Sequence, residues 1–248
     1  MKAVILCAGL GKRLKPYTDK YQKTMLPLHG KPVLEYILEG LIYADLKEII
    51  FVVGYRKEQI INYFQDGVKW GAKIEYVEQK KLNGTGGALL LCENLINDDH
   101  FFLTWGDILI PYRIYKEVQK VYQNEKQDFV IVANYSEDTS QGAAIVCEQR
   151  YLQKIIEKPK LGTIDSKWNN AGIFILSHAI FNVLKNLKTS IRGEIELPDA
   201  LSQGLTLKRW KVRVLKMKKN QFRGDLGNIN VYETLKTNKN WIRKLYNN

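Results

Sequence analysis

The chain predicts an α/β fold in which a mostly parallel sheet carries helices on both faces. Three observations point there. Short apolar runs alternate with segments of helical spacing through the first half. The first of these runs, Val4-Ile-Leu, breaks into a glycine-rich cationic turn, as a buried strand does when it reaches a ligand. Beyond Phe129 the rhythm changes to short β segments, which adds a small β element over the sheet.

Taken in order, the strand at Val4 is followed by a helix from Pro32 to Ala44, because proline is tolerated at the first helical position. Glu48–Val53 reads as a continuous apolar strand, Lys57–Phe64 as a helix and Lys73–Val77 as a third strand. Gly84–Leu95 reads as a helix opened by Gly-Thr-Gly-Gly, and His100–Thr104 as a strand running into Trp105-Gly106-Asp107. A helix at Ile114–Tyr122 and the strand Phe129–Ala133 follow. Then come β segments at Ala143–Cys147, Leu152–Ile156 and Ala171–Leu176, and a helix at Ala179–Lys185. Lys211–Lys216 largely alternates polar with apolar residues as a half-exposed strand, and Ile229–Tyr246 is expected to close the chain as one helix.

At 248 residues the chain is expected to form a single domain with a full core. Its formal charge of +12 suits polyanionic ligands, but the lysines are spread over the whole length. No RNA-binding signature or zinc-ligand pair accompanies them, so nucleic acid is not the expected partner. Cys7, Cys92 and Cys147 are odd in number and far apart, which fits buried thiols in a reducing compartment. The N-terminal apolar run is too short and wrongly flanked for a signal peptide, and no stretch of 18 apolar residues occurs. A cytoplasmic protein without membrane attachment is therefore expected.

The motifs fall at the carboxyl ends of the predicted strands, where open α/β sheets bind ligands. Val4-Ile-Leu-Cys-Ala-Gly9-Leu-Gly11-Lys-Arg13 can crowd backbone N–H groups around a phosphate, with Lys12, Arg13 and Lys23 neutralising it. It is not a Walker loop, since no Gly-Lys-Ser/Thr closes it. Nor is it the dinucleotide fingerprint, since Leu14 stands where a third glycine belongs. Glu78-Gln79 with Gly84-Thr85 follows the third strand, and Gly106-Asp107 ends the fourth. His29, His100 and His178 have no metal spacing.

The N-terminal loop, with Lys23-Thr-Met-Leu-Pro27 after it, resembles the signature of the sugar-phosphate nucleotidylyltransferases, with Lys12 replacing the usual threonine. Phe222-Arg-Gly-Asp225-Leu-Gly227 resembles the late Trp-x-Asp-x-Gly-Thr-Pro motif of that family, with Arg223, Asn228 and Ile229 as departures. Glu157-Lys158-Pro159, Asn170-Ala-Gly172 and Arg192-Gly-Glu194-Ile-Glu196-Leu resemble its sugar-binding segments, Pro198 replacing a threonine in the last.

The resemblance runs from Lys2 to about Tyr232 and implies a three-layer α/β/α, Rossmann-like nucleotidyltransferase fold. It implies that Ala8, Gly9, Gly11, Lys12 and Arg13 hold nucleotide phosphates, and that Gln79, Gly84 and Thr85 address the base. It further implies that Asp107 and Asp225 share one catalytic Mg²⁺. Gly142, Glu157, Lys158, Asn170, Gly172 and Glu194 would contact the sugar phosphate, Asn169 being the lesser candidate of the adjacent asparagines. Arg13, Lys23, Asp107, Lys158 and Asp225 would be the catalytic set. A glutamine amide offers both a donor and an acceptor and so matches uracil or thymine, which favours UTP or dTTP. The implied reaction joins an NTP and a sugar 1-phosphate into an NDP-sugar and pyrophosphate. The alternatives are guanylyl or cytidylyl transfer to another sugar, alditol or choline phosphate, or a catalytically silent NDP-sugar sensor. A nucleic-acid-binding module stands as a third class. No hexapeptide repeat follows, so the left-handed β-helix of some bifunctional relatives is not expected. Many relatives are dimers or tetramers, so a homo-oligomer is compatible with the resemblance.

Overall fold

The computed structural model describes residues 1–125 and 127–247. They gather into two compact units. The first comprises Met1–Leu82, Thr104–Glu117 and Gln221–Asn248; the second comprises Asn83–Leu103 and Val118–Asn220.

The first unit opens with β1 (Ala3–Leu6), the short α1 (Tyr17–Lys20), and the paired β2 (Pro27–Leu28) and β3 (Lys31–Pro32). These lead into α2 (Val33–Tyr43), β4 (Glu48–Val53), α3 (Lys57–Phe64) and β5 (Lys73–Glu78). Strands β5, β4 and β1 lie side by side in parallel, with Ala3 opposite Ile49 and Val53 opposite Glu78. Five of the six residues of β4 are buried, as a strand covered on both faces requires. α2 begins one residue later than expected, because Pro32 is extended and serves as its N-cap. Its buried stripe, Val33, Leu34, Ile37, Leu38 and Leu41, has helical spacing. Gly40 lies against the Tyr115 ring, which a Cβ would approach to 2.6 Å.

The chain then forms α4 (Thr85–Leu90) and β6 (His100–Trp105). The helix expected over Gly84–Leu95 is therefore shorter. The N–H groups of Leu91 and Cys92 bond to Ala88 and Leu89, three residues back, so the winding tightens and ends in a 3₁₀ turn at Glu93–Leu95. β7 (Ile108–Leu109) and α5 (Tyr112–Glu125) follow.

The second unit continues with β8 (Phe129–Tyr135), β9 (Ala143–Glu148), β10 (Tyr151–Glu157), β11 (Trp168–Ser177), α6 (Ile180–Asn186), α7 (Leu197–Leu207) and β12 (Val212–Lys216). Here the order is β11, β8, β12, β10, β9, and β9 pairs again with β11 at Asn169 and Ala144. Only β8 and β12 run parallel among these neighbours. The hairpin anticipated as an added β element is thus hydrogen-bonded into the larger sheet. The separate small sheets are β2–β3 and β7 with β13 (Gly224–Asp225).

The closing segment is two helices, α8 (Ile229–Thr237) and α9 (Asn240–Asn247), where one was expected. Asn238 is extended, its side chain accepts the N–H of Asn240 at 2.8 Å, and so it caps a second helix instead of continuing the first. The Trp241 indole N–H donates to the Leu235 carbonyl at 2.8 Å, which fixes the break. Cys7 and Cys92 are buried as expected, whereas Cys147 is half-buried. Among the described residues no helix is long and apolar enough to cross a membrane.

Candidate active site

In the first unit the loop after β1 is fixed by its neighbours before any ligand is considered. The Cys7 N–H bonds to Val52 at 2.9 Å and the Tyr55 N–H to the Ala8 carbonyl at 3.2 Å. Gly54 makes this approach feasible, since a Cβ there would stand 2.8 Å from that carbonyl oxygen. Gly11 has a left-handed φ of 64°, and a Cβ on it would meet the Thr18 methyl at 2.8 Å. Thr18 Oγ1 donates to the Gly11 carbonyl at 3.0 Å, and Lys12–Leu14 form one 3₁₀ turn. Leu14 is buried beneath it while Lys12 and Arg13 stay exposed. Gly9, Gly11, Lys12, Arg13, Leu14, Lys23 and Gly227 line a cleft of about 180 Å³. Three cations and an open backbone are the ingredients of an anion-binding concavity.

Gln22 braces the segment that carries Lys23. Fully buried, it donates to the Cys7 carbonyl at 2.6 Å and accepts from the Thr24 N–H at 2.5 Å and the Thr24 hydroxyl at 2.7 Å. Sequence reasoning missed Gln22, because its burial depends on a loop 15 residues away. Gly54 was equally overlooked, although a glycine directly after a strand facing a phosphate loop is a readable signal.

Asp107 is brought to the loop by Gly106, whose N–H bonds to Leu6 at 2.9 Å and whose missing side chain leaves room for Cys7. The Asp107 carboxylate pairs with the Lys23 ammonium. Asp225 lies on β13, opposite Ile108 of β7, and the Leu226 N–H bonds to the Asp107 carbonyl at 3.0 Å. The two aspartates thus come from adjoining antiparallel segments. Asp225 Oδ2 lies 3.0 Å from Arg223 Nη2. Each carboxylate therefore already faces a positive group, and the all-oxygen donor set fits a hard divalent cation that completes its shell with water and phosphate oxygens. No group of three or more His, Cys, Asp or Glu among the described residues forms an all-protein cage. Gln79 is buried just beyond β5, its N–H held by Val53 at 2.7 Å.

In the second unit Gly84, at φ 96°, packs so close to Ile195 that a Cβ would be 2.5 Å from its carbonyl oxygen. Thr85 accepts the Leu197 N–H at 3.0 Å and donates to Glu196 at 3.3 Å. Gly142 accepts the Lys158 N–H at 2.7 Å, which joins the start of β9 to the end of β10. Glu157 lies 3.6 Å from the Lys158 ammonium and 3.7 Å from Arg192. Arg192 also reaches Glu194 at 3.5 Å and pairs with Glu196. It thereby gathers three carboxylates. Burial, with Glu194 and Glu157 nearby, pushes the Glu196 carboxyl up to about 7 although Arg192 opposes the shift. Glu196 precedes α7, and Pro198 sits in the first turn of that helix. Asn170 Oδ1 accepts the Gly172 N–H at 2.9 Å, while its amide nitrogen is buried with no partner. Such a donor is suited to a ligand oxygen. Asn169 instead packs against Gly142, where a Cβ would be 2.5 Å from its amide nitrogen.

A glycine-rich cationic loop at the end of a parallel strand, with two aspartates on adjoining segments, is an arrangement that open α/β folds use to bind phosphorylated ligands. The model of the nucleotidyl transferase family matches residues 2–240, and the chain belongs to that family. It is 36% identical over 245 residues to the bifunctional protein GlmU of Methanococcus maripaludis, covering 99% of this chain and 55% of that protein. It is 31% identical over 204 residues to the low-salt glycan biosynthesis nucleotidyltransferase Agl11 of Haloferax volcanii, covering 81% of this chain and 56% of that one. Among solved structures, a UDP-glucose pyrophosphorylase complexed with UDP-glucose matches with a TM-score of 0.84 at 25% identity, over 95% of this chain and 97% of that one. The chain spans about half the length of the GlmU relatives it matches.

Proposed function

We propose that the chain is a sugar-1-phosphate nucleotidylyltransferase using UTP or dTTP. A phosphate oxygen of the sugar 1-phosphate attacks the α-phosphorus of the NTP, the bond from that phosphorus to the β-phosphate bridging oxygen breaks, and pyrophosphate leaves with the electron pair. The observation that carries this reading is the Lys23–Asp107 pair beside the glycine-cationic cleft, which sets a carboxylate and an ammonium next to a phosphate cradle. The loop N–H groups and Arg13 hold the leaving phosphates, and Lys23 neutralises charge gathering at the α-phosphate. Lys158 orients the attacking phosphate. Glu157, Gly142, Asn170, Gly172 and Glu194 engage the sugar, while Gln79, Gly84 and Thr85 meet the base. A Mg²⁺ held by Asp107 and Asp225 would supply further stabilisation of charge on the transferring phosphoryl group. The nucleophile is a phosphate ionised near neutrality, its second pKa being about 6, so no general base is needed. The names of the relatives support a nucleotide-sugar product, and they include a putative UTP–glucose-1-phosphate uridylyltransferase and a putative glucose-1-phosphate thymidylyltransferase.

The test is a matrix of UTP, dTTP, GTP, CTP and ATP against several sugar 1-phosphates with Mg²⁺, scored by pyrophosphate release. Release with UTP or dTTP, and only when a sugar 1-phosphate is present, is the expected result. Preference for GTP or CTP would overturn the assignment of the base, and no release with any pair would overturn the reading.

A further inference from the structure

The late motif carries a group that the proposed reaction does not use. Arg223 lies two residues before Asp225, its side chain is only 16% exposed, and its Nη2 sits 3.0 Å from Asp225 Oδ2. Its Nε is buried with no partner. Gly224 and Asp225 are fixed by their pairing with Leu109 and Ile108, so the backbone at this carboxylate is anchored. A tucked guanidinium directly before this strand is therefore a standing positive charge beside one oxygen of Asp225.

We propose that Arg223 is a positioning residue that weakens the binding of free divalent metal at Asp225. A bare cation arriving at Asp225 must share a carboxylate already engaged by a guanidinium, and it is repelled by that charge. Asp107 cannot compensate, because its own carboxylate is paired with Lys23.

This inference rests on the assignment of Asp107 and Asp225 as metal ligands, and the experiment separates the two. Binding of Mn²⁺ alone is titrated by the loss of the free-ion electron paramagnetic resonance signal, using the folded full chain and variants whose folding is checked by circular dichroism. Arg223→Gln, which keeps polarity and removes charge, is expected to bind Mn²⁺ about 2- to 5-fold more tightly than the unmodified protein, the order of a partly exposed charge interaction. Arg223→Lys, which keeps the charge, should stay within about 2-fold of the unmodified protein on the same grounds. Equal or weaker binding by Arg223→Gln, with Asp225→Asn still reducing binding, overturns the role of Arg223 and leaves the metal ligands standing. Mn²⁺ binding indifferent to both Asp107→Asn and Asp225→Asn overturns the ligand assignment and the inference with it.

Discussion

Asp107 owes its place to the residue before it. Gly106 lets the turn press onto Cys7 and Leu6, and the aspartate is left facing Lys23 at the edge of the cradle. Asp107→Asn or Asp225→Asn should lower turnover by about 10²-fold or more, as expected when stabilisation of transferring charge is lost. Pyrophosphate release measures this, and full activity in either variant would remove that aspartate from the site. Gln79 is buried at the end of β5. Gln79→Glu should weaken use of UTP and dTTP, because an amide donor becomes an acceptor; an unmatched polar pair costs about 1–3 kcal/mol, or roughly 5- to 150-fold. Unchanged kinetics with both nucleotides would place Gln79 outside the base pocket. The charged and glycine residues of the loop were legible in the sequence because they are contiguous. Gln22 was not, since it acts through Cys7 in a loop distant in the chain, and the Arg192 contact to Glu157 likewise joins remote segments.

At the scale of elements, two contacts between segments can be tested directly. The loop after β1 sits on Gly54 at the end of β4, and Gly54→Ala would force a methyl to within 2.8 Å of the Ala8 carbonyl. Overpacking of this kind typically costs about 1–3 kcal/mol, which for a chain of this size lowers the thermal midpoint by roughly 2–4 °C per kcal/mol. An unchanged midpoint together with unchanged nucleotide KM would show the loop to be independent of β4. The entrance to α7 carries a pH dependence. The Glu196 carboxyl titrates near 7 when folded, above its ordinary value of 4.5, so the folded state holds the proton more tightly. Its stabilising contribution is full below about 4.5 and is lost as the pH rises through about 7. Thermal midpoints measured from pH 5 to pH 8 should fall more steeply for the unmodified protein than for Glu196→Gln. Parallel pH profiles would contradict that assignment. Strand positions were read well because apolar runs mark buried strands, whereas the shortened α4, the extent of α7 and the break between α8 and α9 depend on caps and tightened turns. Local hydrophobic spacing carries little information about those.

For the whole molecule, the net charge of +12 bears on how an anionic substrate arrives. Much of that charge is spread over the surface, while Lys12, Arg13 and Lys23 line the cleft. The nucleotide KM should therefore rise several-fold between about 0.05 and 0.2 M salt, as screening shortens the reach of the cations. A KM indifferent to salt would mean that short hydrogen bonds, and not the field of the chain, govern binding. The two units divide the candidate residues between them: the phosphate cradle with Gln79, Asp107 and Asp225 in the first, and Gly84, Thr85, Gly142, Glu157, Lys158, Asn170, Gly172 and Glu194 in the second.

By itself the sequence determined the α/β class, the order of most strands and the position of the glycine-rich cationic loop after β1. Each of these follows from residues adjacent in the chain: periodic burial for the strands, and clustered glycine and cation for the loop. Only the tertiary structure decided that the hairpin β9–β10 joins β12 and β11 in one sheet, because strand pairing is a long-range hydrogen-bonding choice that periodicity leaves open. It alone placed Asp225 beside Asp107 through the β7–β13 pairing, across more than a hundred residues of chain. It likewise set Arg223 against that carboxylate and gathered Glu157, Glu194 and Glu196 around Arg192, since the energy of a charge depends on what stands within a few ångströms of it and not on its position in the sequence.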